Sequence, residues 1–318
     1  MADNDLHHQD SKRTEQVLMM RKKSAFINEL SAEEAAEIVK LRIVKDLPKS
    51  KYAAKPAISF TSAEGRKVVY SHIEIYKMIE DVAHTLRSNG VRPKTRVAML
   101  FNNSVEAVVT FLAIEWVHAI AAPVNPELDV DQIKAAVENL RAALIITQHI
   151  IPKARTDTDV YAKAVTVAKS MELKLWSTAR STNHGVTLDA GGGAIGEPAW
   201  HGGASDYTLD DDEDAVLTTA VDVDLLVLPL THRNICSAAK IFFQTYELHS
   251  SGATIWQKPI HAVHGILVLL TSFYSGGMLV IPPGGQFDPA SFWDLVQEHG
   301  ITWFSTDASV LHEIKEAN

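Results

Sequence analysis

Apolar and polar residues along this chain fall into short blocks that alternate between the period of a strand and the period of a helix. Two β-rich runs at 57–60 and 68–70 predict a hairpin. Ser71 and Glu74 then have the spacing of a capping box, and the apolar positions after them recur at helical spacing. The elements predicted next are strands at 96–101, 120–124 and 142–147, with helices at 104–118 and 129–140.

The same alternation returns in the second half of the chain. The predicted strands are 216–217, 225–228, 254–256, 278–281 and 301–305, and the predicted helices are 234–246, 262–274, 289–299 and 308–315. Each parallel crossover needs a helix to cover one face of the sheet, so the rhythm indicates an α/β fold with mostly parallel strands. The apolar run 263–281 is as long as a membrane span, but Gly276 and Gly277 interrupt it. We therefore predict a buried helix, a turn and a strand there, and no membrane span.

Changes in composition divide the chain into four predicted parts. Residues 1–36 are charged and polar, which predicts a disordered or loosely helical leader. A first α/β subdomain is predicted at 37–176, a linker rich in glycine and aspartate at 177–214, and a second α/β subdomain at 215–318.

Charge and cysteine content narrow the class of protein. The net charge of −9 argues against general affinity for nucleic acid or anionic membranes. Cys236 is the only cysteine, so no intrachain disulfide is expected, and a reducing compartment such as the cytoplasm fits best. The polar first residues lack the apolar core of a secretory signal.

Several ordered motifs together resemble one known family. They are Gly90-Val91-Arg92-Pro93, Asn103-Ser104-Val105-Glu106, Ala121-Ala122-Pro123-Val124-Asn125-Pro126, Pro229-Leu230-Thr231-His232-Arg233-Asn234, Val263-His264-Gly265 and Ile301-Thr302-Trp303-Phe304. This set is similar to the adenylate-forming family, the AMP-dependent acyl-CoA synthetases and ligases. The PLTHRN and VHG motifs resemble those of the oxalate-CoA ligase group most.

The resemblance implies a fold and a chemistry. The fold is that of the large N-terminal domain of acyl-CoA synthetases, in which two packed, mostly parallel sheets are flanked by helices, here with the C-terminal part missing. ATP, magnesium and CoA are the cofactors that the family implies, and a small carboxylate is the implied ligand. Peroxisomal location is implied by the family as well, although the chain carries no C-terminal peroxisomal signal.

One family motif is replaced in this chain. The family places a loop of the form TSGTTG.PKG before the PLTHRN motif, whose glycine amides and lysine hold the triphosphate. Aligning back from Thr231 and His232 leaves no glycine on that loop and puts Leu226 at the lysine position. The aligned residues are Thr218, Thr219, Asp222, Asp224 and Leu226. We therefore doubt ATP binding, because the two aspartates repel phosphate unless magnesium bridges them, and we predict a strand at 221–228 instead.

The acyl pocket of the oxalate-CoA ligase group, PLFHVHG, is kept only in part. His261 stands at the aromatic position, Ala262 replaces the first histidine, and His264 and Gly265 are in register. His261 and His264 at spacing i, i+3 could share a face and bind a metal or an anionic substrate. Alternatively, they are a helix start and a packed neighbour. We assign no metal site and no catalytic residue.

These observations leave several functions open. The leading prediction is a truncated relative, a pseudoenzyme that does not adenylate and keeps a binding or regulatory role toward a small carboxylate, a full-length paralogue or another protein. A working ligase is the alternative, with a rebuilt site or a partner in trans. Its candidate residues are His261, His264, Thr231, Thr218 and Thr219, with Asp222 or Asp224 on a metal. A third hypothesis is a protein-interaction module that uses the basic leader, and a gene-model or splice product is a fourth.

Overall fold

Two β-sheets with helices against their faces make up the described part of the chain in the computed structural model. It describes residues 52–62, 65–149, 157–181, 185–191, 193–195, 214–220 and 226–317. All of these residues belong to one compact unit. The leader predicted at 1–36, together with Asp222 and Asp224, lies outside the described residues.

The strands and helices follow the predicted alternation. The strands are β1 (Pro56–Thr61), β2 (Lys67–Ser71), β3 (Arg96–Leu100), β4 (Ile120–Val124), β5 (Leu144–Gln148), β6 (Lys174–Ser181), β7 (Gly185–Asp189), β8 (Asp214–Ala220), β9 (Leu226–Thr231), β10 (Ala253–Ile255) and β11 (Met278–Ile281). The helices are α1 (His72–Ser88), α2 (Val105–Trp116), α3 (Val130–Leu140), α4 (Asp157–Ser170), α5 (His232–Thr245), α6 (Val263–Ser275), α7 (Phe292–His299) and α8 (Ala308–Glu316).

Most neighbouring strands are parallel, as predicted. The larger sheet has the order β7-β6-β5-β3-β4-β8-β9, and the smaller sheet has the order β10-β11-β1-β2. In the larger sheet only the β6–β7 and β8–β9 pairs are antiparallel. In the smaller sheet only the β1–β2 hairpin is antiparallel. The predicted fold class is therefore confirmed.

Local sequence signals account for several helix starts. The backbone N–H of Ser71 donates a 2.7 Å hydrogen bond to the Glu74 carboxylate, as the predicted capping box requires. Asp129 caps α3 by accepting from the Gln132 amide at 2.8 Å. Each cap satisfies amide groups that the first helical turn leaves without a partner.

Arg180 of β6 joins the two sheets. Its guanidinium lies 3.7 Å from the Glu106 carboxylate on α2. The same group lies over the Phe60 ring of β1, at 4.2 Å from the ring centroid. A charged side chain thus fastens the smaller sheet to the larger one.

The predicted linker and the two predicted subdomains need correction. The first part of the linker at 177–214 is wrong, because residues up to Asp189 form β6 and β7. Glycines and acidic residues predicted the linker, yet Trp176 and Thr178 at its start alternate into the core as in any half-buried strand. The sheets also do not divide at the predicted subdomain boundary, since β8 and β9 extend the first sheet while β1 and β2 join β10 and β11.

The last predicted strand is also wrong, while the apolar run 263–281 has the predicted form. Residues 301–305 make one isolated bridge, from Trp303 to Thr254, rather than a strand. Helix α6 ends at Gly276, whose positive φ of 72° reverses the chain into β11. Among the described helices, none combines the length and the hydropathy needed to cross a bilayer.

Candidate functional site

The backbone before α6 is held in place by a buried side chain from the larger sheet. Asn103, in the loop after β3, donates hydrogen bonds from Nδ2 to the carbonyl oxygens of Trp256 at 3.2 Å and Lys258 at 3.0 Å. Its Oδ1 atom accepts from the backbone N–H of Ile260 at 2.9 Å. Three bonds from one amide therefore fix the course of residues 256–260.

Gly265 allows this segment to approach the first turn of α6 closely. A Cβ atom on Gly265 would lie 2.2 Å from the carbonyl oxygen of Pro259 and 2.7 Å from that of Lys258, so no larger residue fits. The indole Nε1 of Trp256 donates a 2.9 Å hydrogen bond to the Gly265 carbonyl. The glycine predicted from the family motif is explained by this contact.

Three consecutive residues before α8 each make a side-chain contact with the segment 257–264. Ser305 Oγ lies 3.1 Å from His264 Nε2, and both side chains are half-buried. Thr306 Oγ1 donates to Gln257 Oε1 at 3.0 Å. The Lys258 ammonium donates to the Asp307 carboxylate. These contacts bring a histidine, two hydroxyls and an ion pair to one edge of the smaller sheet.

Aromatic side chains pack around Trp303 and Phe304, two residues of a family motif that directly precede Ser305. The Phe304 ring lies 5.0 Å from Phe292 and 5.6 Å from Phe287, measured between centroids. Trp303 contacts Phe242 of α5 at 6.1 Å. This aromatic cluster fixes the backbone that presents Ser305 to His264.

His261 differs from His264 in its surroundings. Its Nδ1 atom is buried and has no hydrogen-bond partner within the described part of the chain, and burial lowers the pKa of the imidazole to about 4. His261 is therefore neutral at physiological pH. No group of three metal-binding side chains occurs in the described part of the chain, so the metal-binding alternative for His261 and His264 has no support there.

The residues aligned with the phosphate loop lie on an antiparallel ladder. Thr218 and Thr219 are in β8, where they pair with Leu228 and Val227 of β9. Leu226, at the family's lysine position, is the first residue of β9, and its side chain is 52% exposed. The predicted strand 221–228 is thus described from Leu226 onward, and the residues before it lie outside the described part.

Thr231 and His232 of the following motif have structural roles. Thr231 caps α5 by accepting from the Asn234 amide at 3.1 Å, while Asn234 Oδ1 accepts from the Thr231 amide at 3.0 Å. His232 is buried, and its Nε2 atom lies 3.6 Å from Glu115 Oε2 on α2. Burial raises the pKa of Glu115 well above its ordinary value, an effect that the Ala121 backbone opposes only in part.

Helix α5, which follows the phosphate segment, packs against the helix that carries His264. Cys236 Sγ on α5 lies 3.2 Å from the Tyr274 hydroxyl on α6. Thr271 Oγ1 donates to the Ala239 carbonyl at 3.4 Å. The helix that follows the phosphate segment and the helix that carries His264 are therefore neighbours.

The sequence did not single out Lys258, Ser305 or Asp307, and it gave Asn103 no role beyond a family motif. Their partners are remote along the chain, since Ser305 is 41 positions from His264 and Asp307 is 49 positions from Lys258. Local periodicity carries no information about such pairs. One signal was present in the sequence. The apolar residues of the predicted strand are followed by three polar residues, Ser305, Thr306 and Asp307, just before a predicted helix.

The comparisons with known proteins identify the family. The model of the AMP-binding enzyme family matches residues 48–212 and 228–318. The chain belongs to this family. Residues 213–227 fall between the two matched stretches, and they contain the segment that aligns with the phosphate loop.

Curated relatives resemble this family member over less than their full length. An oxalate-CoA ligase of Arabidopsis thaliana is 27% identical over 256 residues, which cover 77% of this chain and 46% of the relative. An acyl-CoA synthetase of Alternaria alternata is 28% identical over 269 residues, covering 77% and 46% respectively. The chain thus spans about half the length of the curated relatives it matches.

Solved structures confirm the fold. Apo MatB from Rhodopseudomonas palustris matches with a TM-score of 0.63 at 19% identity, covering 86% of this chain and 50% of that one. The N-terminal domain of FACL13 from Mycobacterium tuberculosis matches with a TM-score of 0.63 at 18% identity, covering 86% and 65%. At these identities the likeness extends to the fold alone.

Proposed function

We propose that this AMP-binding family member binds a small carboxylate beside His264 and does not form an adenylate by itself. It would then be a degenerate relative of the oxalate-CoA ligases with a binding or regulatory role. The observation that carries the proposal is the contrast between the two sites. The segment around Gly265 keeps its glycine and its histidine, whereas the phosphate segment keeps no glycine between Asp214 and Thr231.

The phosphate segment does not fit a triphosphate. A phosphate loop needs several backbone amides that are free to turn toward the oxygens. Here the backbone of Thr218 and Thr219 pairs in register with Leu228 and Val227. Leu226 offers no charge where a lysine would offset the phosphates. Asp222 and Asp224 add negative charge close by in sequence, and two like charges 4 Å apart repel by about 1 kcal/mol in water.

The segment before α6 supports the carboxylate half of the proposal. Lys258 supplies a positive charge, and the Ser305 hydroxyl and the His264 imidazole supply hydrogen-bonding groups. Asn103 and the close approach at Gly265 hold the backbone of this segment still, so little order has to be created on binding. One ion pair and a few hydrogen bonds give an expected affinity of about 1 mM.

Isothermal titration tests the two halves separately. Oxalate should release or absorb heat with saturation, while MgATP should give no saturable signal. ATP–pyrophosphate exchange with oxalate should stay at background, with the Arabidopsis oxalate-CoA ligase as the positive control for the assay. Saturable MgATP binding that Asp222→Ala weakens, or exchange above background, would favour the working ligase instead.

A further inference from the structure

Asp307 occupies a helix-capping position without capping the helix. Its backbone has the extended conformation of an N-cap residue, with φ −80° and ψ 159°, directly before α8. Its side chain nevertheless makes no capping hydrogen bond, because the carboxylate is bound to the Lys258 ammonium instead. Asp307 thus has two alternative partners within reach, and the structure shows it on the lysine.

The Lys258–Asp307 ion pair is easily exchanged. The Asp307 side chain is 55% exposed and the Lys258 side chain 23% exposed, and ion pairs in contact with water contribute little to stability. The hydrogen bond from Lys258 lowers the pKa of Asp307, so the carboxylate is ionised at neutral pH. If another anion took the lysine, Asp307 could turn back to cap α8 with its backbone already in place.

The backbone of Lys258 is held in one position, although its side chain can exchange one anionic partner for another. Asn103 Nδ2 binds the Lys258 carbonyl at 3.0 Å from one side. From the other side, the first turn of α6 approaches so closely that a Cβ on Gly265 would lie 2.7 Å from the same carbonyl. The ammonium group therefore extends from a rigid backbone, and this preorganisation favours anion binding.

The position of Asp307 also indicates where a ligand anion would lie. Besides the hydrogen bond from Lys258, the charge of Asp307 interacts with the His264 imidazole. His264 in turn contacts Ser305, which is two residues before Asp307. An anion in place of the Asp307 carboxylate would bind the ammonium of Lys258 near the Ser305–His264 pair.

We propose that Lys258 is the residue that binds the ligand's carboxylate, and that Asp307 holds its place in the free protein. This inference rests on the proposed carboxylate site and assigns the residue that recognises the charge. Because the carboxylate of Asp307 has the same chemistry as the ligand, the two compete for one ammonium group. Asp307 therefore lowers the apparent affinity by the fraction of time that it occupies Lys258.

Two variants of the same ion pair separate this competition from a structural role. Lys258→Met removes the ammonium and should weaken oxalate binding about tenfold or more, since a charge-assisted hydrogen bond is lost. Asp307→Asn removes the competitor but keeps a side chain that can cap α8, and it should strengthen oxalate binding severalfold. Titration calorimetry with sodium oxalate, at constant ionic strength, measures both.

Matched controls and opposing outcomes keep the test decisive. Lys134→Met and Glu138→Gln break a comparable exposed ion pair on α3 and should leave oxalate binding unchanged. Thermal unfolding without ligand checks that all four variants fold. If the wild type binds oxalate but Lys258→Met leaves binding unchanged, or Asp307→Asn does not strengthen it, this inference fails and the carboxylate site stands. If neither the wild type nor Asp307→Asn binds oxalate or acetate, the proposed function fails together with it.

Discussion

The Nε2 atom of His232 lies 3.6 Å from the Oε2 atom of Glu115, and both side chains are buried. Among the described residues, the backbone of Ala121 is the one group that favours the ionised carboxylate, and its hydrogen bond to Glu115 is a weak one. His232 opens α5 and Glu115 lies in the last turn of α2, so the contact joins the motif after the phosphate segment to the first half of the chain. Burial therefore favours the protonated form of the Glu115 carboxyl group.

Glu115→Gln should stabilise the protein at neutral pH. Burial raises the pKa of Glu115 above the ordinary 4.5, so the folded state holds a proton that the unfolded state has released. The stability from this group is complete below pH 4.5 and is lost as the pH rises toward the folded pKa. Each pH unit in that window lowers the free energy of unfolding by about 1.4 kcal/mol.

Urea unfolding of the wild type and Glu115→Gln at pH 4.5 and pH 7 measures this effect. The variant should have the higher unfolding free energy at pH 7, and the difference should shrink at pH 4.5. A variant that is less stable at pH 7 would mean that Glu115 is ionised and paired with a protonated His232, which contradicts the prediction.

His261→Phe should remove a source of acid lability. Burial lowers the pKa of His261 from 6.5 to about 4, so its stabilising contribution is complete above pH 6.5 and is lost as the pH falls toward 4. Phenylalanine also removes the buried Nδ1 atom, for which the described residues offer no partner and whose burial costs about 1 to 3 kcal/mol.

The melting temperature of His261→Phe should therefore exceed that of the wild type, and the gap should widen between pH 6.5 and 5. His312→Phe, at an exposed position of α8, controls for the simple loss of a histidine. An equal or lower melting temperature at pH 5 would show that Nδ1 has a partner that stabilises the folded state.

Local signals predicted the parts of the fold that are made by neighbours in sequence. The Ser71–Glu74 cap and the turn at Gly276 follow from residues within a few positions of each other, whereas α5 begins two residues before its predicted start. In β6, by contrast, the composition predicted a linker, whereas buried Thr178 lies in a strand and its hydroxyl donates to the Thr147 carbonyl on the adjacent strand. That bond exists only once the sheet has formed.

The sequence likewise predicted only part of the candidate site. The family motif indicated His264 and Gly265, and the structure explains the glycine through the carbonyl of Pro259. The contacts of His264 with Ser305 and of Lys258 with Asp307 depend on how α8 approaches the segment before α6. No pattern along the chain encodes that approach, since the partners belong to separate elements.

Gly265→Ala should disrupt the segment before α6. The added methyl group would lie 2.2 Å from the Pro259 carbonyl oxygen, which is a backbone atom that Asn103 holds through its neighbours. Relief of this overlap requires backbone movement, which costs about 3 kcal/mol of unfolding free energy. Oxalate binding should fall as well, because Lys258 lies on the displaced segment.

Gly191→Ala is the matched control for this change. Its φ is not in the left-handed region, and the nearest atom to an added Cβ is the Asp189 side-chain oxygen at 3.2 Å, which can move. Urea unfolding should leave Gly191→Ala close to the wild type. A similar stability for Gly265→Ala would mean that the segment before α6 is looser than the close approach implies.

Asn103→Asp should weaken both the fold and the site, because it changes a donor into an acceptor with almost no change in shape. Asn103 Nδ2 now donates to the carbonyls of Trp256 and Lys258, and a carboxylate oxygen in its place would face two oxygens without a proton between them. Two buried carbonyl groups left without donors cost at least about 2 kcal/mol together, and the buried charge adds to this. The protonated acid can donate one bond, so the loss relative to the wild type should be smaller at pH 4 than at pH 7.

Asn125→Asp serves as the control, since Asn125 Oδ1 accepts from the backbone amide of Glu127 and an aspartate keeps that bond. Urea unfolding at both pH values, with oxalate titration at pH 7, measures the effect. An Asn103→Asp protein as stable as the Asn125→Asp control at pH 7 would show that the segment holding Lys258 does not depend on this amide.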